Sequence, residues 1–395
     1  MVKKFLNFNL IKDRTLFFQI ILKLFQFVSL YFFARILTTE ELGFWAFFLV
    51  VTTVFTTLSG LGNNITLKSK IIQNRQKKQL IKVSILASIL LAPLSFYYLS
   101  FYFNNVLVFF MCVCMIIEIV RVQLSIFEIS KGNLLKGTIL EIIPLLLAIS
   151  FSILFQFIYE FSLESRVYGY TTGLFFSLII LIGSIKGSTK IKFSDLVSNI
   201  SFVKYFYLLN IAVFLGIDKF FLKSVNVDYL GIYAVNLTIL SSLMFFTKFV
   251  ENKIISYDLN NYDKNLSTII VAILSLLTTI LLPSLFVLIG LSNFVLDTSS
   301  RISLLLFPII MNEIGIRQNI IYKSSMILNK PLICISLANL FSIILILIIN
   351  PSEYIIVKIY IFNLIVIMII LGVFSNRSLI LEIIKKTKNE HYNNV

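Results

Sequence analysis

Histidine is nearly absent from this chain. The single copy, His391, lies in a basic C-terminal segment, so no imidazole is at hand for a catalytic triad or acid–base relay inside the apolar body. No GxxxxGK[ST] loop occurs and no polar stretch is long enough for a nucleotide-binding domain, which leaves an ion gradient or the membrane potential as the energy source for any uphill work. The three cysteines, Cys112, Cys114 and Cys334, all sit in apolar runs. They offer no disulfide framework, and a lone Cys-X-Cys pair is a weak metal signal. Charge is scarce too: only 13% of the 395 residues are Asp, Glu, Lys or Arg. A soluble chain of this length needs far more polar surface.

What the chain has instead is apolar length. Residues of hydrophobic type make up 58% of it, and mean hydropathy is +0.95. The bilayer is therefore the expected solvent, and the fold class is all-α. Twelve segments have the length a helix needs to cross a hydrocarbon core. They run roughly over 15–37, 42–61, 81–101, 106–127, 138–158, 167–185, 205–222, 230–250, 266–288, 302–321, 332–349 and 355–374. The first is too long for a signal-peptide core and is read as a retained span.

Net charge is +15, but the basic residues fall in short segments between apolar runs, which argues against nucleic acid. Of 34 Lys and Arg, 24 lie at the termini and even-numbered loops and six at the odd-numbered loops and their edges, Arg35 and Arg166 among the six. This bias predicts both termini in the cytoplasm. The basic loops read as topology signals and contacts for anionic membrane lipid.

One stretch occurs twice. Phe32–Phe47 reads FFARILTTEELGFWAF and Phe220–Val235 reads FFLKSVNVDYLGIYAV, aligned without a gap at a shift of 188 residues. Arg35 matches Lys223, Glu40 matches Asp228, Gly43 matches Gly231 and Trp45 matches Tyr233. An internal repeat of this kind predicts two halves on one plan. The expected organisation is an N-lobe over 1–185, a cytoplasmic linker over 186–204 and a C-lobe over 205–395 with a basic tail. Both copies leave the cytoplasm, so the halves are parallel repeats. The segment around Arg35, Glu40 and Gly43 is read as structural or gating, with Trp45 among interfacial aromatics.

Charge inside a span is costly and marks a candidate site. Gln19, Lys23 and Gln26 share one face of the first span. They fit either a polar stripe joining helices or a cavity wall, and an unneutralised Lys23 favours the cavity. Glu118 and Arg121 can pair on one helix, as can Glu313 and Arg317, the latter beyond Pro308, which can bend its helix. Asp218 and Lys219 read as interfacial snorkelling. Glu141, just before Pro144, is a candidate for proton or sodium coupling or a group at the cytoplasmic edge. Lys23 and Arg317 are the expected cavity cations, with Arg121 a weaker candidate.

The Arg35–Trp45 and Asp218–Tyr233 motifs, with twelve spans in six plus six, resemble the polysaccharide flippases, in particular the O-antigen and capsule repeat-unit flippases. These share a superfamily with the multidrug and toxin extrusion transporters. The resemblance implies two six-helix lobes around a central cavity. It also implies alternating access, and movement of a lipid-diphosphate-linked glycan to the outer leaflet of a bacterial plasma membrane. A monomer is expected, with a polysaccharide polymerase and chain-length machinery as partners and no cofactor beyond a coupling ion. Two rivals stay open: a multidrug exporter of the same superfamily, which favours acidic cavities, and a membrane-embedded glycan polymerase or ligase, which calls for a large extracytoplasmic loop.

The topology has a direct test. In a chain stripped of its native cysteines, labelling from outside the cell should reach a cysteine at Glu164 and miss one at Gln76. The reverse pattern overturns the orientation and the twelve-span count together.

Overall fold

The computed structural model describes residues 14–61, 63–68, 74–185, 202–242, 244, 247–248, 250–252, 261–324 and 329–392. The basic segment before Arg14, and the 186–204 linker up to residue 201, lie outside the described residues. The described residues are helical almost throughout: α1 Arg14–Ile36, α2 Thr39–Ser59, α3 Asn63–Lys68, α4 Asn74–Leu99, α5 Asn105–Ser130, α6 Leu134–Ile158, α7 Leu163–Ile185, α8 Phe202–Val225, α9 Val227–Ser242, α10 Asn261–Leu288, α11 Thr298–Ser324, α12 Asn329–Ile349 and α13 Glu353–Tyr392. A helix stands at each of the twelve expected places, with short α3 as an addition. Nine are long and apolar enough to cross a membrane among the described residues, or ten if the bent pair Val203–Ile211 and Gly216–Val225 is one span. α13 differs from expectation at its end. It continues through the basic tail to Tyr392, because after Gly372 no glycine or proline stops it and Leu, Glu and Lys favour helix.

Local chemistry sets the helix starts. Thr38 caps α2 in a full capping box with Glu41. Asn226 caps α9 from the matching position of the repeat, its Oδ1 accepting from the Tyr229 N–H at 2.9 Å. Thr38 and Asn226 are 188 residues apart. Asn104 caps α5 in the same way, accepting from Leu107 at 2.8 Å.

The helices form two lobes with one packing scheme. In the first, α5 packs on α4, α6 and α7, α6 on α7, and α1 on α6. In the second, the corresponding α11 packs on α10 and α13, α12 on α13, and α8 on α12. α4, α10 and α12 turn apolar faces outward: Leu90 on α4 and Leu288 on α10 are 71% and 83% exposed, and Leu337, Leu340 and Phe341 of α12 are open as well. Faces this apolar require lipid around them.

The lobes meet along α2, which packs on α8 and α9, and along α1, which packs on α9. At the end where α2 and α9 begin, here called the hinge end, Gly43 and Gly231 lie backbone to backbone. A Cβ on Gly43 would strike the Val227 carbonyl oxygen, and one on Gly231 would strike that of Thr39. Thr39 and Val227 are themselves 188 residues apart, so the contact is reciprocal. Side chains lengthen it: the Thr39 hydroxyl donates to Asp228. Arg35 Nη2 donates to the Ile289 carbonyl of the second lobe at 2.6 Å. Lys223, its match in the repeat, lies 3.1 Å over the Tyr102 ring of the first.

Alanine in place of a helical glycine ordinarily stabilises, by up to about 1 kcal/mol. At Gly43 and Gly231 the sign should invert. Each Gly→Ala variant should melt below the wild type in detergent, since forced overlap costs on the order of 1–3 kcal/mol. A raised melting temperature would show that the two helices do not touch here.

Candidate functional site

A cavity of about 290 Å³ opens between the lobes, walled by α1, α2, α6 and α7 of the first and α9 of the second. Lys23 and Gln26 of α1 and Arg166 and Tyr170 of α7 supply polar groups on one side, and Thr238 and Ser241 of α9 on the other. No Asp or Glu is on its wall. Lys23 makes no ion pair within 4 Å among the described residues. A larger recess, about 640 Å³, lies at the hinge end around Arg35, Thr38 and Gly290. Its wall is the interlobe contact itself.

Arg166 was expected at an external loop as a topology charge. It is instead in the first turns of α7, only 7% exposed. Its guanidinium carbon lies 4.0 Å from the Phe33 ring centre and 4.2 Å from that of Trp45. Trp45 in turn meets Tyr170 edge-on at 5.2 Å. Trp45 is thus a buried cavity residue and not an interfacial anchor. The polar Glu160–Ser165 stretch before Arg166 hides this in the sequence. The one available signal was spacing: Arg166 and Tyr170 are four apart and share a helical face.

Other expected residues fall elsewhere. Gln19 is buried in α1 with Nε2 unpartnered and is not on the cavity wall. Arg121 pairs with Glu118 at 2.6 Å, both nearly buried, and donates to the Glu141 carbonyl at 3.3 Å. Tyr170 donates to Glu118 at 3.4 Å. This is a neutralised pair set behind the wall. Arg317, the second expected cavity cation, is not on the wall either. It pairs with Glu313 at 3.0 Å and lies against Gly372 of α13, while the Thr268 hydroxyl donates to Glu313 at 2.7 Å. Gly372 leaves room for the guanidinium inside the second lobe, which is why the charge turns there and not into the cavity. Asp218 does not snorkel. It is fully buried, and accepts from Tyr233 at 2.7 Å as well as from Lys219 at 3.4 Å; the tyrosine at the repeat's Trp45 position provides the buried partner. Glu40 is exposed in the first turn of α2.

Two contacts join the lobes at the opposite end, near the N-terminus of α1. Glu141 of α6 pairs with Lys248 beyond α9 at 3.3 Å, and its Oε2 is buried without a partner. Lys68 of α3 donates to Asn319 of α11 at 2.7 Å, and burial pushes its ammonium down to about 8. The cavity is bounded at both ends by such interlobe contacts.

No family model matches the sequence, and no curated protein does. Solved structures do match in fold. One described as "protein A" superposes with a TM-score of 0.64 at 15% identity, over 92% of this chain and 95% of the other. A multidrug resistance MATE family transporter of the MOP superfamily matches in its outward-facing conformation (0.57, 10% identity, 93% and 96% covered) and in an inward-facing one (0.53, 11%, 91% and 95%). The chain has the two-lobe, all-α fold of these membrane proteins.

Arg121→Met should leave Glu118 as an uncompensated buried charge and destabilise the protein by about 3–5 kcal/mol, while adding Glu118→Gln should recover most of it. Thermal unfolding of the three variants measures this; an unchanged single variant would mean the pair is solvated.

Proposed function

We propose that the protein is a membrane transporter that flips a lipid-diphosphate-linked oligosaccharide from the inner to the outer leaflet of a bacterial plasma membrane, by alternating access, for surface polysaccharide assembly. The observation that carries this reading is the charge of the cavity: Lys23 and Arg166 on its wall and no carboxylate. A diphosphate must leave water to cross, and fixed cations replace its hydration in a medium of lower dielectric. Lysine acts as a compact point charge, and arginine grips an oxyanion with two parallel donors. The positive-inside bias supports cytoplasmic termini and an outward hinge end. Alternating access then consists of parting the Glu141–Lys248 contacts at one end and the Gly43–Gly231 contact at the other. Glu141 is the candidate coupling group for H+ or Na+, having one oxygen on Lys248 and the other unpartnered. A polymerase and chain-length machinery are the expected partners downstream.

A second reading, multidrug export, draws on the multidrug MATE transporters among the fold neighbours. A cavity for cationic drugs is served by free carboxylates. Here Glu118 is taken by Arg121, Glu141 has one oxygen on Lys248, and neither is on the cavity wall, which favours anionic cargo.

Cells carrying Lys23→Ala should lose surface glycan with the protein level unchanged, and Lys23→Arg should retain part of it. Export at the wild-type rate in Lys23→Ala rejects the cationic-cavity mechanism. Efflux of an organic cation dye by the wild type, with normal surface glycan in cells lacking the protein, would establish the multidrug reading in its place.

A further inference from the structure

The two cavity cations are set against different levels of α1. Arg166 lies over Phe33, and Phe33 is ten residues beyond Lys23 on α1, about 15 Å along the helix. A diphosphate is a few bond lengths long, shorter than this backbone separation. Arg166 is also not a structural ion pair. It has no acid within 4 Å among the described residues, and its buried Nη1 has no hydrogen-bond partner. Glu41, at the same end of the fold, is committed elsewhere: Oε1 accepts from the Leu163 N–H at 3.0 Å and Oε2 from the Thr38 backbone and hydroxyl. The rings of Phe33 and Trp45 hold the guanidinium in place without giving Nη1 an acceptor. A buried donor left without an acceptor, on a residue that lines the cavity, fits an acceptor that arrives with the cargo.

We propose that Arg166 is a second anion site in this cavity, distinct from Lys23, which takes an oxyanion on the glycan portion of the cargo. The protein is then selective for acidic repeat units, carrying a uronate carboxylate or a phosphate substituent remote from the diphosphate. The inference rests on the diphosphate-glycan reading and deepens it. Lys23 holds the head group, and Arg166 discriminates among glycans.

Trp45 is the only tryptophan in the chain and touches Arg166, so its fluorescence reports on this site. The purified full-length protein would be titrated with three short-chain polyprenyl-diphosphate trisaccharides: one with a distal uronate, one with a distal phosphate ester, one neutral. One of the acidic lipids should bind at least about tenfold tighter than the neutral one, since a charge-assisted hydrogen bond is worth that much, and the one that does identifies the oxyanion. Arg166→Gln should abolish this preference and Arg166→Lys retain part of it, while Lys23→Gln should weaken all three lipids alike. Equal binding of acidic and neutral lipids by the wild type overturns the proposal, as does a preference that survives in Arg166→Gln; if that variant does not fold, an undiminished preference in Arg166→Lys counts the same. If no lipid binds, the diphosphate-glycan reading fails, and the free acidic trisaccharides decide the site alone. A Trp45 response lost on Arg166→Gln, or diminished on Arg166→Lys if Arg166→Gln does not fold, keeps it; no response, or one undiminished in the variant, removes it.

Discussion

The arrangement of the lobes depends on two glycines. Gly43 and Gly231 let the start of α2 and the start of α9 approach until the backbone of each meets the carbonyl of the other's preceding turn, at Val227 and Thr39. In lipid, helices are not driven together by apolar side chains, because the tails are as apolar as leucine. Close backbone approach, with its dispersion and polar contacts, holds them instead. The reciprocity of the contact under a 188-residue shift follows from its place. Two equivalent residues that touch each other lie on the axis relating their halves.

That contact organises what surrounds it. Arg35 and Lys223 leave equivalent points beside the glycines and reach across to opposite lobes, one to the Ile289 carbonyl and the other to the Tyr102 ring. Below this seal the lobes diverge and leave the cavity. Its charge follows from where each lobe's carboxylates find partners. Glu118, Glu313 and Asp218 are taken up within their own lobes by Arg121, Arg317 and the Tyr233–Lys219 pair, and Glu141 by Lys248 across the interface. Lys23 and Arg166 are left on the wall. The cavity is cationic because, among the described residues, the carboxylates turn to partners off its wall, a property of the packing and not of net charge.

The repeat itself is used asymmetrically. Trp45 and Tyr233 occupy matching positions, yet Trp45 packs on Arg166 at the cavity while Tyr233 donates to buried Asp218. Position 30 of the first lobe carries Leu where the second has Asp218, and no arginine on α13 matches Arg166. The divergence gives one lobe a binding wall and the other a self-contained polar core.

Apolar run length, basic loop bias and the duplicated Phe32–Phe47 stretch determined, without any coordinates, a membrane-embedded all-α chain with helices at twelve places and two halves on one plan. These are legible because the bilayer enforces span length on every crossing helix, and because a repeat is a property of residue order. The same order also marked Lys23 as an uncompensated charge. Which other charges join it was decided only by the tertiary structure. Arg166 reads as a loop residue until α7 is seen to begin before it, and Arg317 reads as a cavity cation until Gly372 of α13 is seen to make room for it. Helical periodicity tells which residues share a face; only the packing of one helix on another determines which face borders the cavity.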